Sequence, residues 1–274
     1  MELLALSQAS LEEALRACNP AFQASREPID WNPMMLQRWM TLWDIPAETS
    51  VLLRVEGQPA GLSLGALRGD RGWITTFGIH PSFRRRGLGR VLLAAQLDRF
   101  REAGARTVRL EVLAENVEAQ ALYEAGGFQV RRRLSSFEGT LPLAAPRSVD
   151  FDWSLALNPP AWPDGRDCAW QREPASSLNF SWEASWFGQG GDYALYLPMP
   201  NGVRILDLAA APGPDSRERI LGLWEELAGR FPGQPVRLLN EPDDSELFEV
   251  LQSLGCIISE RYAEMEIALD SPTN

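Results

Sequence analysis

Apolar and polar residues alternate along the chain in short runs that predict strands, separated by longer runs with the spacing of helices. In the first half the pattern predicts a strand and two helices, then a hairpin that turns at Gly57 and Gln58, and then a central strand and a helix. The strand Thr107–Leu113, a helix from Val117 and a strand from Phe128 follow. This order predicts a mixed α/β sandwich, with a central sheet flanked by helices and parallel in its middle.

The second half repeats this order. Its predicted strands and helices include Leu178–Phe187, Ser216–Arg230, Pro235–Asn240, Asp244–Ser253 and Cys256–Ala268. At an offset of 128 residues without gaps, Val108 falls on Val236 and Gly127 on Gly255. We therefore predict two tandem domains, residues 1–157 and 158–274, with a proline-rich linker from residue 158 to 165.

The stretch that organises the first half is residues 73–91, a short apolar strand, a turn with two glycines and the beginning of a helix. Gly87 and Gly89 remove Cβ atoms from the turn, so a ligand can approach the main-chain N–H groups at the helix N-terminus. Four arginines surround that terminus: Arg84, Arg85, Arg86 and Arg90. An anion such as a pyrophosphate is the expected ligand. The alternative is a β-to-α turn with a solvated arginine run.

The same turn fits neither a P-loop nor the dinucleotide fingerprint, because Leu92 stands where the third glycine of the fingerprint belongs. Arg84-Arg85-Arg86-Gly87-Leu88-Gly89 instead resembles the acyl-CoA loop of the GNAT superfamily of N-acetyltransferases. Downstream, Leu110 to Phe128 resembles a second pattern of that superfamily, Leu-Glu-Val-x-x-x-Asn-x-x-Ala-x-x-Leu-Tyr-Glu-x-x-Gly-Phe. The two motifs together identify residues 1–157 as similar to a GNAT domain.

This resemblance implies acetyl-CoA as co-substrate. Its pantetheine arm is expected on Phe77, Gly78 and Ile79, and its pyrophosphate on the amides from Arg85 to Arg90, which include Leu88. At the offset of 128, Asp215, Arg217, Asp244 and Leu251 stand where the first half has Gly87, Gly89, Asn116 and Tyr123. The resemblance therefore implies a degenerate second copy without a cofactor loop.

Tyr123 lies two helical turns beyond Asn116, so both side chains can face one edge of the site. We predict Asn116 in the cofactor site and Tyr123 as the acid for the leaving thiol. The alternatives are purely structural roles, a helix cap for Asn116 and an aromatic side chain packed in the core for Tyr123.

The general base is harder to assign. Many superfamily members carry a carboxylate on the central strand, where this chain has Thr75 and Thr76. Glu111 on the neighbouring strand is our candidate, acting through water, although a strand glutamate near arginines is also typical of a salt-bridged face.

Charge and composition narrow the classes of partner. Residues 1–150 carry a formal charge of +1 and residues 151–274 carry −12, which argues against nucleic acid. No apolar stretch is long enough to span a bilayer, and the N-terminus lacks the features of a signal peptide, so we expect a cytoplasmic protein with no membrane partner. A single histidine, His80, and three scattered cysteines predict no metal site.

The sequence therefore predicts an acetyl-CoA-dependent N-acetyltransferase that transfers acetyl directly to a primary amine, on a small molecule rather than a protein. Two alternatives stay open: a non-catalytic acyl-CoA-binding sensor or scaffold, and an acetyltransferase similar to mycothiol synthase, a family that also joins two such domains. The sequence leaves the choice between monomer and homodimer open.

Overall fold

The computed structural model describes residues 1–23, 28, 30–143, 153–154, 160, 162, 167–189 and 191–269. The chain folds as two compact units. The first unit contains residues 1–131 and the end of the chain from Ala263, and the second contains residues 132–262. The predicted domain boundary between residues 157 and 158 lies outside the described residues and stays a prediction.

The first unit contains a sheet with helices against it. Its elements are β1 (Glu2–Ala5), α1 (Leu11–Phe22), α2 (Pro33–Leu42), β2 (Val51–Val55), β3 (Gln58–Arg68), β4 (Arg71–Ile79), α3 (Leu88–Glu102), β5 (Thr107–Leu113) and α4 (Val117–Ala125). The strands follow the order β1-β2-β3-β4-β5, antiparallel except for the parallel pair β4–β5.

Local sequence explains several ends of these elements. Ser10 caps α1, and its hydroxyl accepts from the Glu13 amide while the Glu13 carboxylate accepts from the Ser10 amide. The hairpin turn between β2 and β3 is at Glu56 and Gly57, one residue before the predicted Gly57 and Gln58. Both residues have the positive φ that a two-residue hairpin turn requires. The strand Thr107–Leu113 is observed with its predicted bounds.

Two long strands are divided between the units. They are β6 (Gln129–Thr140) and β12 (Ile257–Ala268), cut at Arg131 and at Tyr262. In the first unit the end of β12 lies beside β5, and Met265 is fully buried in the core that α3, α4 and β5 form. The end of β12 thus completes the core of the first unit.

The second unit has the same layered plan. Its other elements are β7 (Trp153–Ser154), α5 (Pro174–Leu178), β8 (Ser185–Gln189), β9 (Asp192–Met199), β10 (Gly202–Ala209), α6 (Ser216–Arg230), β11 (Pro235–Pro242) and α7 (Glu246–Ser253). The strand order is β6-β11-β10-β9-β8-β7, and β10 and β11 form the parallel pair. Both units confirm the predicted mixed α/β fold.

The internal repeat is visible in strand bounds and in ion pairs. Strand β12 follows β6 at an offset of 128 residues over its whole length. Arg109 Nε lies 2.5 Å from Glu266 in the first unit, and Arg237 Nε lies 3.1 Å from Glu138 in the second, at the same offset. Each arginine on the fifth strand of its copy therefore pairs with a glutamate on the last strand of the other copy.

Two predictions from the sequence, the uniform offset of the repeat and one strand, are wrong. The ladders place Ile74 opposite Leu110 and Ile205 opposite Leu238, so β10 aligns with β4 at an offset of 131, not 128. The reason is a shorter connection from β10 to the next helix. The predicted strand Leu178–Phe187 is instead the end of α5, then turns, and strand only from Ser185, because short apolar runs do not distinguish strands from turns.

Candidate active site

The central strand β4 contains a bulge and parts from its parallel neighbour. Leu64 of β3 opposes Thr76 and Gly65 opposes Ile74, which leaves Thr75 as an extra residue. The parallel ladder with β5 ends at Ile74 and Leu110, although both strands continue. We call the segments beyond it, Thr75–Ile79 of β4 and Glu111–Leu113 of β5, the first fork. Its β4 main chain makes no ladder bonds to β5 and can pair with a ligand.

A glycine-capped helix begins beside the first fork. Gly87, the residue before α3, has φ of +74°, a conformation that favours glycine, and no side chain caps this terminus. A Cβ on Gly89 would lie 3.3 Å from Leu122, so this glycine allows α3 to approach α4 closely. The first amides of α3 lack intrahelical acceptors, which gives the terminus the donors and partial positive charge that bind anions.

The arginines of the loop divide into two pairs. Arg84 donates to the main-chain oxygens of Ile79, at 3.1 Å, and Ala21, at 2.8 Å, and Arg86 donates to Ser82 O at 3.2 Å. These two side chains hold the loop in shape. The exposed Arg85 pairs with Glu118, and Arg90 is exposed on α3. An anion at the helix terminus is therefore expected to meet main-chain amides first, with Arg85 and Arg90 adding charge.

The predicted pantetheine residues lie on the β4 side of the first fork. The Phe77 ring packs edge-on against Tyr123, with centroids 5.8 Å apart. A Cβ on Gly78 would lie 2.9 Å from the Ala21 side chain, so α1 can reach the strand only over a glycine. Ile79 carries the carbonyl that Arg84 holds. The strand end is thus fixed from both sides.

Tyr123 lies on α4 between two aromatic rings. It is 7% exposed, packs against Phe77 and Phe128, and its hydroxyl has no hydrogen-bond partner among the described residues. Burial raises the pKa of the Tyr123 phenol above its ordinary value. The phenol is therefore protonated at neutral pH and able to donate. Both interpretations of this residue fit, since it packs in the core and keeps its proton.

Asn116 caps α4, as the alternative interpretation of this residue predicts. Its side-chain oxygen accepts from the Ala119 amide at 3.1 Å, and the residue is exposed. Only its side-chain NH₂ is left for a ligand. The structure does not bring Asn116 and Tyr123 into contact with each other.

Glu111 is held in place by a tryptophan that the sequence analysis did not single out. The Trp73 indole N–H donates to Glu111 Oε2 at 2.6 Å. The burial pattern along β5 alternates, so Glu111 is on the face opposite Leu110 and Val112, which pack with Tyr123 in the core. The two predicted catalytic groups therefore lie on opposite faces of the sheet at the first fork, the acid on the side of α3 and α4.

The second unit has an equivalent fork with different contents. Strand β10 bulges at Leu206, and its ladder with β11 ends at Ile205 and Leu238. Beyond that pair, in what we call the second fork, Arg172 joins the two strands: its guanidinium lies 2.6 Å from Asp207 on β10 and also contacts Glu241 on β11. All three side chains are buried. The chain's own ion pairs therefore fill the second fork.

The polar residues of the second fork are bound to one another. Tyr193 donates to Asp207 at 2.6 Å, and Ser245 donates to Glu241 at 2.5 Å. Asp215 precedes α6 where Gly87 precedes α3, and Leu251 is buried in the core. A carboxylate at a helix N-terminus occupies the place that suits an anionic ligand and repels one.

Two further properties of the described residues concern metal binding and membrane-spanning helices. Within the described ranges, no group of three His, Cys, Asp or Glu side chains could hold a metal ion. None of the helices described above is long and apolar enough to cross a bilayer.

The first fork therefore combines a bulged central strand, which parts from its parallel neighbour, with a glycine-capped helix. Residues 9–128 match the sequence model of the Acetyltransferase (GNAT) family. This segment, less than half of the chain, is therefore similar to GNAT acetyltransferases. A tandem GNAT protein from the clavulanic acid biosynthesis pathway superposes over 100% of both chains with a TM-score of 0.58 and 17% identity. That likeness concerns the fold, and it extends to the tandem arrangement.

Two curated relatives match shorter segments. The [Ribosomal protein bS18]-alanine N-acetyltransferase of Salmonella typhimurium is 44% identical over 59 residues, which are 22% of this chain and 40% of that protein. The mycothiol acetyltransferase of Clavibacter sepedonicus is 36% identical over 87 residues, 32% of this chain and 29% of that protein. The chain thus spans less than half the length of either relative.

Proposed function

We propose that the protein is an acetyl-CoA-dependent N-acetyltransferase whose first unit transfers an acetyl group directly to a primary amine of a small molecule. The observation that carries the proposal is the first fork next to an uncapped helix N-terminus, with the protonated Tyr123 beside it. The family of residues 9–128 supports the reaction class.

The residues present fit acyl-CoA. The amides that begin α3 would hold its pyrophosphate, and the main chain of Phe77, Gly78 and Ile79 would pair with its pantetheine arm. When bound, acyl-CoA supplies a thioester whose acyl group an amine can attack. This chain orients that group through the fixed end of β4 and excludes water from one side with the Phe77 and Tyr123 rings.

The proton transfers assign one group to each face of the sheet. The amine nitrogen forms the new bond to the acyl carbon while the carbon–sulfur bond breaks. Tyr123 donates its phenolic proton to the departing sulfur, and Glu111, oriented by Trp73, accepts the proton of the amine through a water molecule. Solvent then restores both groups, so the net reaction consumes one thioester and one amine and yields one amide and one free thiol.

The test uses glycine variants of the first copy and a matched variant of the second. We expect Gly87→Glu and Gly89→Glu to abolish acetyl-CoA binding in calorimetry, since each adds a carboxylate where the pyrophosphate binds. Asp215→Asn, at the equivalent helix terminus of the second copy, is expected to bind like the unaltered chain. Equal acetyl-CoA affinity in the glycine variants and in Asp215→Asn would overturn the assignment.

A non-catalytic acyl-CoA sensor is the second candidate, because Thr75 and Thr76 replace the carboxylate that many family members carry on the central strand. A screen of primary amines, including a peptide that begins with alanine, distinguishes the two functions by the release of free CoA thiol. The enzyme releases thiol with at least one amine. The sensor binds acetyl-CoA and releases none.

The same proposal includes a cytoplasmic location and a monomer or homodimer. The buried Cys18 forms no disulfide, which supports a reducing compartment. Size-exclusion chromatography with light scattering gives the oligomeric state directly.

A further inference from the structure

A cavity in the second unit lies away from the second fork, at the other end of the same strands. Its volume is about 370 Å³, within the range of pockets that hold small organic ligands. The wall is mostly apolar and carries two guanidinium groups. The lining residues that matter here are Met199, Gly202, Arg204, Pro235, Arg237 and Leu239.

Arg204 is the unusual residue of this cavity. It is half-buried, its guanidinium lies over the Phe180 ring at 5.8 Å, and it makes no hydrogen bond or ion pair with any described residue. Burial, followed by the nearby charge of Arg237, lowers the pKa of Arg204 to about 10. The side chain is still charged at neutral pH, and a desolvated charge without a counter-ion is costly.

The surroundings make this lack of a partner more telling. Residues 151–274 carry 20 acidic side chains against 8 arginines, so acids are plentiful in this part of the chain. The other buried or half-buried arginines described there each have one: Arg172 has Asp207, Arg217 has Glu249, Arg219 has Asp192 and Arg230 has Glu226. Arg204 alone among them faces a cavity without an acid.

Comparison with the first unit shows how the cavity arises. The ladders place Arg204 opposite Arg237 as they place Trp73 opposite Arg109. In the first unit the Trp73 indole donates to Glu111. In the second, a cation replaces the tryptophan, and Leu239 stands where Glu111 stands in the first copy at the 128-residue offset. The second unit therefore has a charged donor, the Arg204 guanidinium, at the place of the Trp73 indole. It has an apolar side chain, Leu239, at the place of the Glu111 acceptor.

We propose that this cavity binds a small amphipathic carboxylate. The Arg204 guanidinium holds the carboxylate, and the apolar part lies against Met199, Pro235 and Leu239. The second guanidinium of the wall, that of Arg237, is already paired with Glu138. Guanidinium groups suit carboxylates because two parallel N–H donors match two oxygens. The site is separate from the proposed acyl-CoA site, since all its residues belong to the second unit.

The test compares sodium hexanoate with hexanamide, which has the same apolar chain and no charge, by calorimetry on the full chain saturated with CoA. Hexanoate is expected to bind in the millimolar range and at least tenfold more tightly than hexanamide. Equal binding of the two, or no binding of hexanoate up to tens of millimolar, would overturn the proposal.

Variants then locate the site. Arg204→Gln is expected to weaken hexanoate at least tenfold, and Arg204→Lys less, because lysine keeps the charge but not the planar pair of donors. Leu239→Trp fills the cavity without changing charge and is expected to abolish binding. Arg133→Gln, at an exposed arginine outside the cavity, serves as the control. Unchanged hexanoate affinity in Arg204→Gln, or an equal loss in Arg133→Gln, contradicts the assignment.

Discussion

The first and second forks begin after equivalent ladder pairs, Ile74–Leu110 and Ile205–Leu238, and each starts with a one-residue bulge. Beyond those pairs they differ. The β4 segment of the first fork, Thr75–Ile79, has no charged side chain, whereas the second fork holds a buried arginine between two buried carboxylates. The same backbone geometry therefore accompanies an accessible strand edge in one copy and a closed ion-pair network in the other.

This difference separates fold from function. A bulge and a parting of strands are properties of the backbone, and both copies have them. The proposed binding of an anionic co-substrate depends on Gly87 in one copy and is opposed by Asp215 in the other. Only the side chains make one fork a candidate active site.

Arg172→Met tests the closed fork with the largest expected effect. The substitution leaves Asp207 and Glu241 buried without their cation, and breaking a buried ion pair in this way costs about 3–5 kcal/mol of unfolding free energy. Urea unfolding measures it. Thr76→Val, at the position in β4 that matches Asp207, is the control and is expected to change stability by less than about 1 kcal/mol. Similar losses in both variants would show that the network does not distinguish the forks.

Tyr123→Phe tests the chemistry of the first fork. Removing a general acid is expected to lower kcat about a hundredfold, which corresponds to about 2.7 kcal/mol, with the KM for acetyl-CoA nearly unchanged. The acid acts while protonated, and burial raises the pKa of this phenol, so kcat is expected not to fall through its ionisation below pH 10.

The matched control for Tyr123→Phe is Leu251→Met, at the corresponding residue of the second copy. It is expected to leave kcat unchanged. If the Tyr123→Phe enzyme keeps most of its kcat, Tyr123 is not the general acid and its role is packing in the core.

Glu111→Gln tests the opposite face. We expect kcat/KM for the amine to fall about tenfold at pH 7 and the deficit to shrink as pH rises, because an amine that is already neutral needs less help from a base. The comparison is Glu115→Gln, at an exposed residue in the connection that follows β5. A deficit that is independent of pH would instead point to a structural role through the Trp73 hydrogen bond.

The smallest expected difference concerns the repeated ion pairs. The side chains of Arg109 and Glu266 are 19% and 31% exposed, and those of Arg237 and Glu138 are 45% and 41% exposed. Arg109→Gln is therefore expected to cost about 1 kcal/mol and Arg237→Gln about 0.5 kcal/mol or less, since solvent screens the more exposed pair. Chemical unfolding of both variants measures the difference, and the reverse order would contradict this account.

Much of the fold could be predicted from sequence because local signals are strong in it. The helix Ser216–Arg230 and the strand Thr107–Leu113 have regular periodicity and clear ends, and both are observed with the predicted bounds. The glycine turn was likewise visible, because Gly87 and Gly89 stand at the beginning of a helix that follows a strand.

The parts of the site that the sequence did not predict depend on contacts between residues distant in sequence. Arg172 lies 35 residues before Asp207, and no local pattern links them. Trp73 and Glu111 are 38 residues apart, on strands whose pairing had to be known first. The division of β6 and β12 between the units was also hidden, because both strands have the same pattern and either could complete either core.

That division also affects how the protein is made. Met265, in the core of the first unit, is synthesised after the α3, α4 and β5 residues of that core, and 157 residues separate Arg109 from Glu266. During synthesis the exposed edge of β5 must be kept from pairing with other chains until its neighbour arrives. The first 131 residues, although they contain both motifs, thus reach their native packing only after the end of β12 has been synthesised.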